Sequence, residues 1–421
     1  MIYALEVTLL ECYLGWYRCI WTIGASREQW GNLMHILIFP SIFATRTNRY
    51  RGKTIEEQAV ALKRRGHQVG LLVPPSRVRT LHGLREIRDY WRCPPNAFEV
   101  TQRSGLPTYR IHWWGWIGSG FVGRRPMLGR EAFERYCQDN GGPDVLYGRG
   151  ILYGGYLAAH LKRITGIPFV QMEEHSAPFL RGILFPDQRR TIAETLAAAD
   201  YVFTMSPALA KALAPFAKDK PIHVLPNSID TDFFSPGDPP PPDAPFTFGL
   251  IARLDANKAA HLLLDAFAAA FAGTCVRLKI AGTGPEREKL ERIVRNLGID
   301  RQVEFLGFLP RKGIRDLLRC CHAVVSSSYV ETFGNTLVEA MACGKPVVST
   351  RSGGPNSIVT EEVGILVPTG DCEALKRAMI AMVENYSKYD PARIRELCMA
   401  RFGPDAILGK LESVFASLQH A

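Results

Sequence analysis

Among the 421 residues there is no Cys-x-x-Cys pair, and the ten cysteines and ten histidines form no cluster at zinc-ligand spacing. A structural zinc module and a small disulfide scaffold are thereby excluded, and the cysteines read as reduced thiols of a cytosolic protein. A membrane-spanning run is missing too. The first 33 residues are apolar, but Glu6, Glu11 and Arg18 interrupt them, each charge costing about 2.5 to 3.5 kcal/mol at mid-bilayer. No basic leader region or small-residue cleavage site precedes the chain's alternating pattern. That pattern starts at Met34-His35-Ile36-Leu37-Ile38-Phe39, so Met34 is the expected natural start and residues 1–33 an extension outside the fold. Compositional bias is also absent, with 47% apolar and 22% charged residues and 37 Gly and 28 Pro spread along the chain. Those are the proportions of an ordinary globular protein, and the length suggests roughly two to four domains. Charge is the one asymmetry. The formal net charge is +10, and nine of those ten positive charges fall in residues 1–235, pointing to an anionic lipid, glycan or nucleic acid, or to solubility alone, near that half.

From Met34 onward, short β-rich apolar runs alternate with helical stretches, as parallel sheets built from βαβ units require. The first set predicts strands at His35–Phe39, Val69–Val73, Val145–Tyr147, Phe169–Met172, Tyr201–Thr204 and His223–Leu225, with a helix from about Thr54 stopped by Gly66. The second predicts strands at Phe246–Ile251, Arg277–Ala281, Val303–Leu306, Ala323–Ser326 and Pro346–Ser349. Between them the Pro-rich run 235–245 cannot pair in a sheet and reads as a semi-rigid linker. The expected organisation is therefore residues 34–234, a linker at 235–245, residues 246–402, and a C-terminal helix at 403–421 packing back on the first domain. Two doubly wound α/β domains facing one another place the functional site in the cleft between them. Gly118-Ser-Gly-Phe-Val-Gly123 matches a dinucleotide fingerprint but does not follow the first strand, and Gly52-Lys53-Thr54 lacks the earlier glycine of a P-loop.

Residues 326–355 hold the most chemistry. A strand ends at Ser326, Glu331 lies in a loop, and Gly334 opens a helix that Gly344 stops, so the free N–H groups at that helix start make an anion site. In an unbroken helix Glu331 and Glu339 would stand about 80° apart; the loop lets both reach one ligand at different points. Upstream, Arg253 and Lys258 sit between a strand end and a helix start expected to be capped by Asp255 or Asn257, with Leu263, Phe267 and Phe271 on its buried face. A guanidinium fork and an ammonium suit a diphosphate, although each alone also reads as a surface charge. No side chain presents itself as a covalent nucleophile, and Glu331 and Glu339 do not suit the paired-carboxylate geometry of a glycosidase.

On these residues the chain resembles a family 4 glycosyltransferase over about residues 34–419, through Glu-x7-Glu at Glu331 and Glu339, Gly66-His67, Asp144-Val-Leu, Tyr153-Gly-Gly155, Glu174-His175-Ser176, Ser206-Pro207, Leu225-Pro-Asn227-Ser-Ile-Asp230, Gly282-Thr-Gly284-Pro285 and Gly353-Gly354. The resemblance implies the GT-B architecture of two Rossmann-like domains. It also implies transfer of a hexosyl group from a nucleoside diphosphate sugar with retention, by front-face displacement, with no cofactor and no required metal. Glu339 would take the donor's ribose hydroxyls and Glu331 its sugar hydroxyls. Arg253 and Lys258 would neutralise the diphosphate, and His175 would touch the transferred sugar, its alternative being a hydrogen-bonded core histidine. Gly282, Gly284, Phe333, Gly334, Asn335 and Thr336 would complete the donor site, with Gly52 approaching the phosphates from the acceptor side. Ala252, Ala259 and Ser228 replace glycines common in the family, and Asn356-Ser357 stands where a Glu is frequent. Tyr147-Gly-Arg149 replaces a His-x-His and leaves the acceptor side open.

The acceptor implied is a glycan or lipid-linked glycan of envelope or exopolysaccharide synthesis, with the enzyme in the cytoplasm or on the inner face of the membrane. Arg77, Arg79, Arg85, Arg88 and Arg92 with Leu81, Leu84, Ile87 and Trp91 would suit a basic amphipathic helix on an anionic membrane, or a solvated helix of the domain itself. His112-Trp113-Trp114-Gly115-Trp116 would hold a lipid or sugar, or simply be buried. A nucleotide-sugar epimerase of the same architecture is the rival enzyme. A non-catalytic glycan or nucleic-acid binder is disfavoured because it has no need of the Arg253, Lys258, Glu331 and Glu339 set.

Overall fold

The structure, a computed structural model, describes residues 33–43, 52–74, 98–111, 125–175 and 179–419, save positions 181, 183, 185, 239 and 242. The basic stretch Arg77–Arg92, the aromatic cluster at 112–116, the Gly118–Gly123 match, most of the loop between Pro40 and Gly52, and the extension before Leu33 lie outside the described residues.

Two sheets form two Rossmann-like domains of a GT-B fold. The first comprises β1 (His35–Pro40), β2 (Gln68–Val73), β3 (Phe98–Arg103), β4 (Leu106–Ile111), β5 (Val145–Arg149), β6 (Phe169–Glu173), β7 (Tyr201–Thr204) and β8 (His223–Val224), in the spatial order β3-β4-β2-β1-β5-β6-β7-β8. All neighbours are parallel except β3 against β4. The second comprises β9 (Thr247–Ile251), β10 (Arg277–Ala281), β11 (Val303–Gly307), β12 (Ala323–Ser326), β13 (Val347–Thr350) and β14 (Gly364–Val367), all parallel, in the order β11-β10-β9-β12-β13-β14. Central strands covered by helices on both faces must be apolar throughout. Accordingly every residue of β1 and of β12 is buried, and Leu37, Phe39, Leu146 and Phe169 anchor one core while Phe248, Leu278, Val325 and Val348 anchor the other.

In each sheet the winding reverses once, between β1 and β5 and between β9 and β12. A crevice opens outside the carboxyl ends of strands at such a reversal, because the two flanking loops leave in opposite directions.

Chain segments outside the sheets tie the halves together. Arg319 donates from Nε to the Ser235 carbonyl at 2.8 Å, and Arg395 donates from Nη2 to the Thr231 carbonyl at 2.9 Å, so the connecting segment is strapped to the second domain. The last helix, Pro404–Ser417, lies on the first domain: Arg65 pairs with Glu412 at 2.7 Å, and the Phe415 ring meets Tyr147 edge-on at 5.4 Å.

Three local expectations need correction. The β3–β4 hairpin is absent from the sequence reading because β3 is a largely solvent-facing edge strand with no apolar run. β14 is also absent from the sequence reading, although it is as long as β7, β12 and β13. Neither Asp255 nor Asn257 caps the helix after β9. That helix, Ala260–Phe271, starts after Ala259 in a left-handed conformation at φ 47°, and the Asn257 amide instead donates to the Val330 carbonyl at 2.8 Å.

Candidate functional site

The crevice of the second domain is built from backbone first. Gly282, at φ 139°, donates its N–H to the Gly307 carbonyl at 2.7 Å, and the Thr283 carbonyl accepts from Leu254 at 2.9 Å. A Cβ on Gly282 or Gly284 would collide with the backbone of Ala252 or Leu254, so only glycine lets these loops lie on each other. The loops after β9 and β12 are stitched likewise: Tyr329 N–H donates to the Asn257 carbonyl at 2.8 Å and the Ser327 hydroxyl to the Lys258 carbonyl at 2.9 Å.

This stitching brings Lys258 to Glu331, Nζ to Oε2, at 2.5 Å. Glu331 is itself fixed by its backbone, which receives Gly354 N–H and donates to the Ser352 carbonyl, each at 2.8 Å. Arg253 stands free at the rim, its side chain 74% exposed, with a loose contact to Asp255 at 3.6 Å. Gly334, at φ 116°, precedes the helix Asn335–Ala342, and no side chain caps it. Asn335 and Thr336 are half-buried at its start. Phe333 requires correction as a donor contact: its ring is 1% exposed and packs edge-on against Phe402 at 5.7 Å, so it belongs to the core and leaves only its backbone for a ligand.

Glu339, one turn into that helix, has its carboxyl pushed up to about 8. Burial is the main cause; the Glu57 carboxylate adds to it and Arg311 works against it. Both groups come from around the gap. Glu57 lies on the helix Lys53–Arg64 of the first domain, which begins at Gly52 in a left-handed conformation at φ 70°. Arg311 opens the helix Arg311–Cys320 of the second, and its guanidinium pairs with Glu57 at 3.3 Å and Asp230 at 3.1 Å while stacking over Phe233 at 4.2 Å. The walls touch at two further places. Asn227 donates to the Asn335 side chain at 3.1 Å, and a methyl on Gly353 would lie 3.5 Å from the Ala208 Cβ and 4.0 Å from Leu180.

On the opposite wall, Ser41 after β1 and Gly150 after β5 are joined by a 2.7 Å bond from the Ser41 hydroxyl to the Gly150 carbonyl. Arg149 is 1% exposed and binds Glu174 at 2.5 Å and Gln58. His175 follows β6 with its Nδ1 at 2.8 Å from Glu173. The structure thus joins Lys258 to Glu331 and sets Glu339 one turn into the helix that Asn335 opens, with Gly282 and Gly284 shaping the floor and Arg253 at the edge, while on the first-domain side Gly52 precedes a helix and His175 follows β6. Sequence reasoning missed Glu57, Arg311 and Glu173. The first two are 254 positions apart with no local signal. Glu173, a charge ending the apolar run Phe169–Met172, was visible as an anomaly.

Comparisons with known proteins match both halves of the chain. Residues 52–233 match the model described as Glycosyltransferase Family 4, and residues 234–396 that described as Glycosyl transferases group 1. The lipopolysaccharide core biosynthesis glycosyltransferase LpsE of Rhizobium meliloti is 33% identical over 180 residues, 42% of this chain and 51% of that protein. The chain spans about a third to a half of the length of the first curated relatives it matches. Among solved structures, sucrose-phosphate synthase of Thermosynechococcus elongatus superposes with TM-score 0.71 at 20% identity, over 91% of this chain and 99% of that one. HepE of Anabaena in complex with UDP gives 0.68 at 18% identity, over 91% and 100%. At these identities the structural likeness concerns the fold.

Proposed function

Since the chain belongs to the family 4, group 1 glycosyltransferases, we propose that it moves a glycosyl group from a nucleoside diphosphate sugar to a hydroxyl acceptor, with retention of configuration. The observation that carries this reading is the Lys258–Glu331 pair at 2.5 Å, set at the second sheet's winding reversal beside the glycine-shaped floor and one helix away from Glu339. A cation there meets the diphosphate. A carboxylate beside it accepts from sugar hydroxyls, and Glu339 accepts from the ribose.

As the bond to the anomeric carbon breaks, negative charge gathers on the departing diphosphate. Lys258, with Arg253 swinging in from the rim, offsets that charge in a water-poor gap, a contribution of about several kcal/mol, so no metal is assigned the role. The acceptor hydroxyl approaches the same face, its proton passes to the leaving phosphate oxygen, and the walls supply orientation. A relative's printed role in lipopolysaccharide core biosynthesis and the basic first half favour a glycan or lipid-linked glycan acceptor, presented at an anionic membrane surface. No helix among the described residues is long and apolar enough to cross a membrane, so such attachment would be peripheral.

A thermal-shift screen over UDP, GDP and ADP and their sugars tests the donor half, because a ligand of the folded state alone raises its apparent stability. We expect one nucleotide class to raise the midpoint, and its sugar to be consumed only when a hydroxyl acceptor is added. No shift with any nucleotide, or conversion of the donor to an epimer without acceptor, overturns the proposal.

A further inference from the structure

Strand β6 ends in a carboxylate where the fold has most reason to avoid one. Glu173 is 1% exposed, and an ion so placed survives only if hydrogen bonds replace its water. They do. Oε1 accepts from the N–H groups of Glu174 at 2.8 Å and His175 at 2.7 Å and lies 2.8 Å from His175 Nδ1, while Oε2 accepts from Ile151 N–H at 2.7 Å. Burial alone would raise the Glu173 pKa, but the His175 charge and these N–H donors outweigh it and hold the group below the ordinary carboxylate range.

An ionised carboxylate only accepts, so the proton between the two side chains sits on His175 Nδ1. The ring's Cε1 edge is covered by Gly150, where a Cβ would collide with it. With Nδ1 bonded and Cε1 covered, 23% of the side chain is still exposed. The neighbouring charges are sorted as well: Arg149 draws the Glu174 carboxylate to itself at 2.5 Å, leaving Glu173 as the partner of the imidazole.

We propose that Glu173 is a positioning residue of the transfer site, holding His175 with Nδ1–H turned inward and, as an anion 2.8 Å from that nitrogen, favouring the imidazolium, the one form of this ring in which Nε2 also carries a proton and is offered as a hydrogen-bond donor to a substrate oxygen in the gap. The substrate side of this inference rests on the glycosyltransferase reading above; the locked tautomer does not. Burial and Arg149 disfavour the imidazolium, whereas Glu173 and Glu174 favour it and prevail, so the His175 pKa lies above that of a free histidine. Nε2 therefore keeps its proton to higher pH than an unpaired ring would, and a donor bond to the substrate fails only on the alkaline side.

The test combines a spectroscopic and a kinetic readout. In the ligand-free protein, 15N spectra of the histidine rings, with His175 identified by loss of its signals in His175→Gln, should show a ring protonated on Nδ1 and titrating above the free-histidine value. In Glu173→Gln the amide keeps one acceptor but turns an N–H₂ toward Ile151 or His175. That variant should move the alkaline limb of kcat/KM to lower pH, with loss of rate on the alkaline side, while nucleotide-induced thermal stabilisation stays unchanged and Glu173→Asp recovers part of the loss. A wild-type ring protonated on Nε2 alone, a free-histidine titration, or an unshifted limb in a folded Glu173→Gln overturns the proposal. Should Glu173→Gln not fold, the wild-type spectra decide alone. A nucleotide screen with no shift would defeat the glycosyltransferase reading and leave the spectra to be judged separately.

Discussion

Lys258 and Glu331 form a closed ion pair that is less than a quarter exposed on either side, and removing one member leaves the other partly desolvated and unpaired. Lys258→Ala should therefore lower kcat/KM by about 10² to 10³ and reduce nucleotide-induced stabilisation, whereas Arg253→Ala, at the exposed rim, should do less. Equal losses would show that the rim arginine swings fully onto the diphosphate. At Glu339 the sign is set by burial. A carboxyl that titrates near 8 when folded against 4.5 in the open chain binds a proton that the unfolded chain has lost between those values, so its contribution to stability falls as pH rises through that window. Glu339→Gln should match the parent near pH 4 and exceed it by a margin that grows as pH rises from about 4.5 to about 8, by scanning calorimetry. Ribose hydroxyls donating to Glu339 favour its ionised form, so nucleotide binding to the parent at pH 7 should release a proton, seen as a buffer-dependent binding enthalpy that Glu339→Gln abolishes.

Glycine marks where elements approach too closely for a side chain, and the loop after β10 is the clearest case. Gly284 has no room for a Cβ above the Leu254 backbone, so Gly284→Ala must part the loops after β9 and β10. A loss of about 2 to 3 kcal/mol in unfolding free energy, together with weaker nucleotide stabilisation, is expected; full retention of both would mean that this contact does not shape the floor. The same close approach explains why Ala259 draws attention. It occupies a left-handed conformation at φ 47°, which glycine, common there in the family, adopts freely. The helices themselves were legible, since Leu263, Phe267 and Phe271 all prove buried. Their starts were not, because Asp255 and Asn257 are good caps by type and the fold spends Asn257 on the β12 loop instead.

Across the whole molecule, Arg311 clasps the two halves at a place where no local sequence pattern predicts a contact. Resting on Phe233 and held by Asp230, it reaches Glu57 of the first domain at 3.3 Å. A half-exposed pair of this kind is worth about 1 kcal/mol or less, so Glu57→Gln should leave the thermal midpoint nearly unchanged. It should nonetheless widen the gap, seen as a larger radius of gyration in solution scattering of the ligand-free protein. An unchanged scattering profile would assign closure to the other contacts, Asn227 with Asn335 and Gly353 against Ala208.

Periodicity and glycine placement determined from the sequence alone that this chain makes two parallel sheets with helices between them, because apolar strands and amphipathic helices follow from local spacing. They also marked Lys258 between a strand end and a helix start, Glu331 in the loop after a strand and Glu339 in the helix that follows, while His175 entered through the family resemblance alone. Only the tertiary structure decided what those groups meet: that Lys258 is already paired, that the Phe333 ring is core, that Glu339 is pushed toward neutrality by burial and a carboxylate from the other domain, and that Glu173 dictates which face His175 shows. The reason is physical: burial and the charges around a group come from chain segments far apart in sequence, and no local pattern records them.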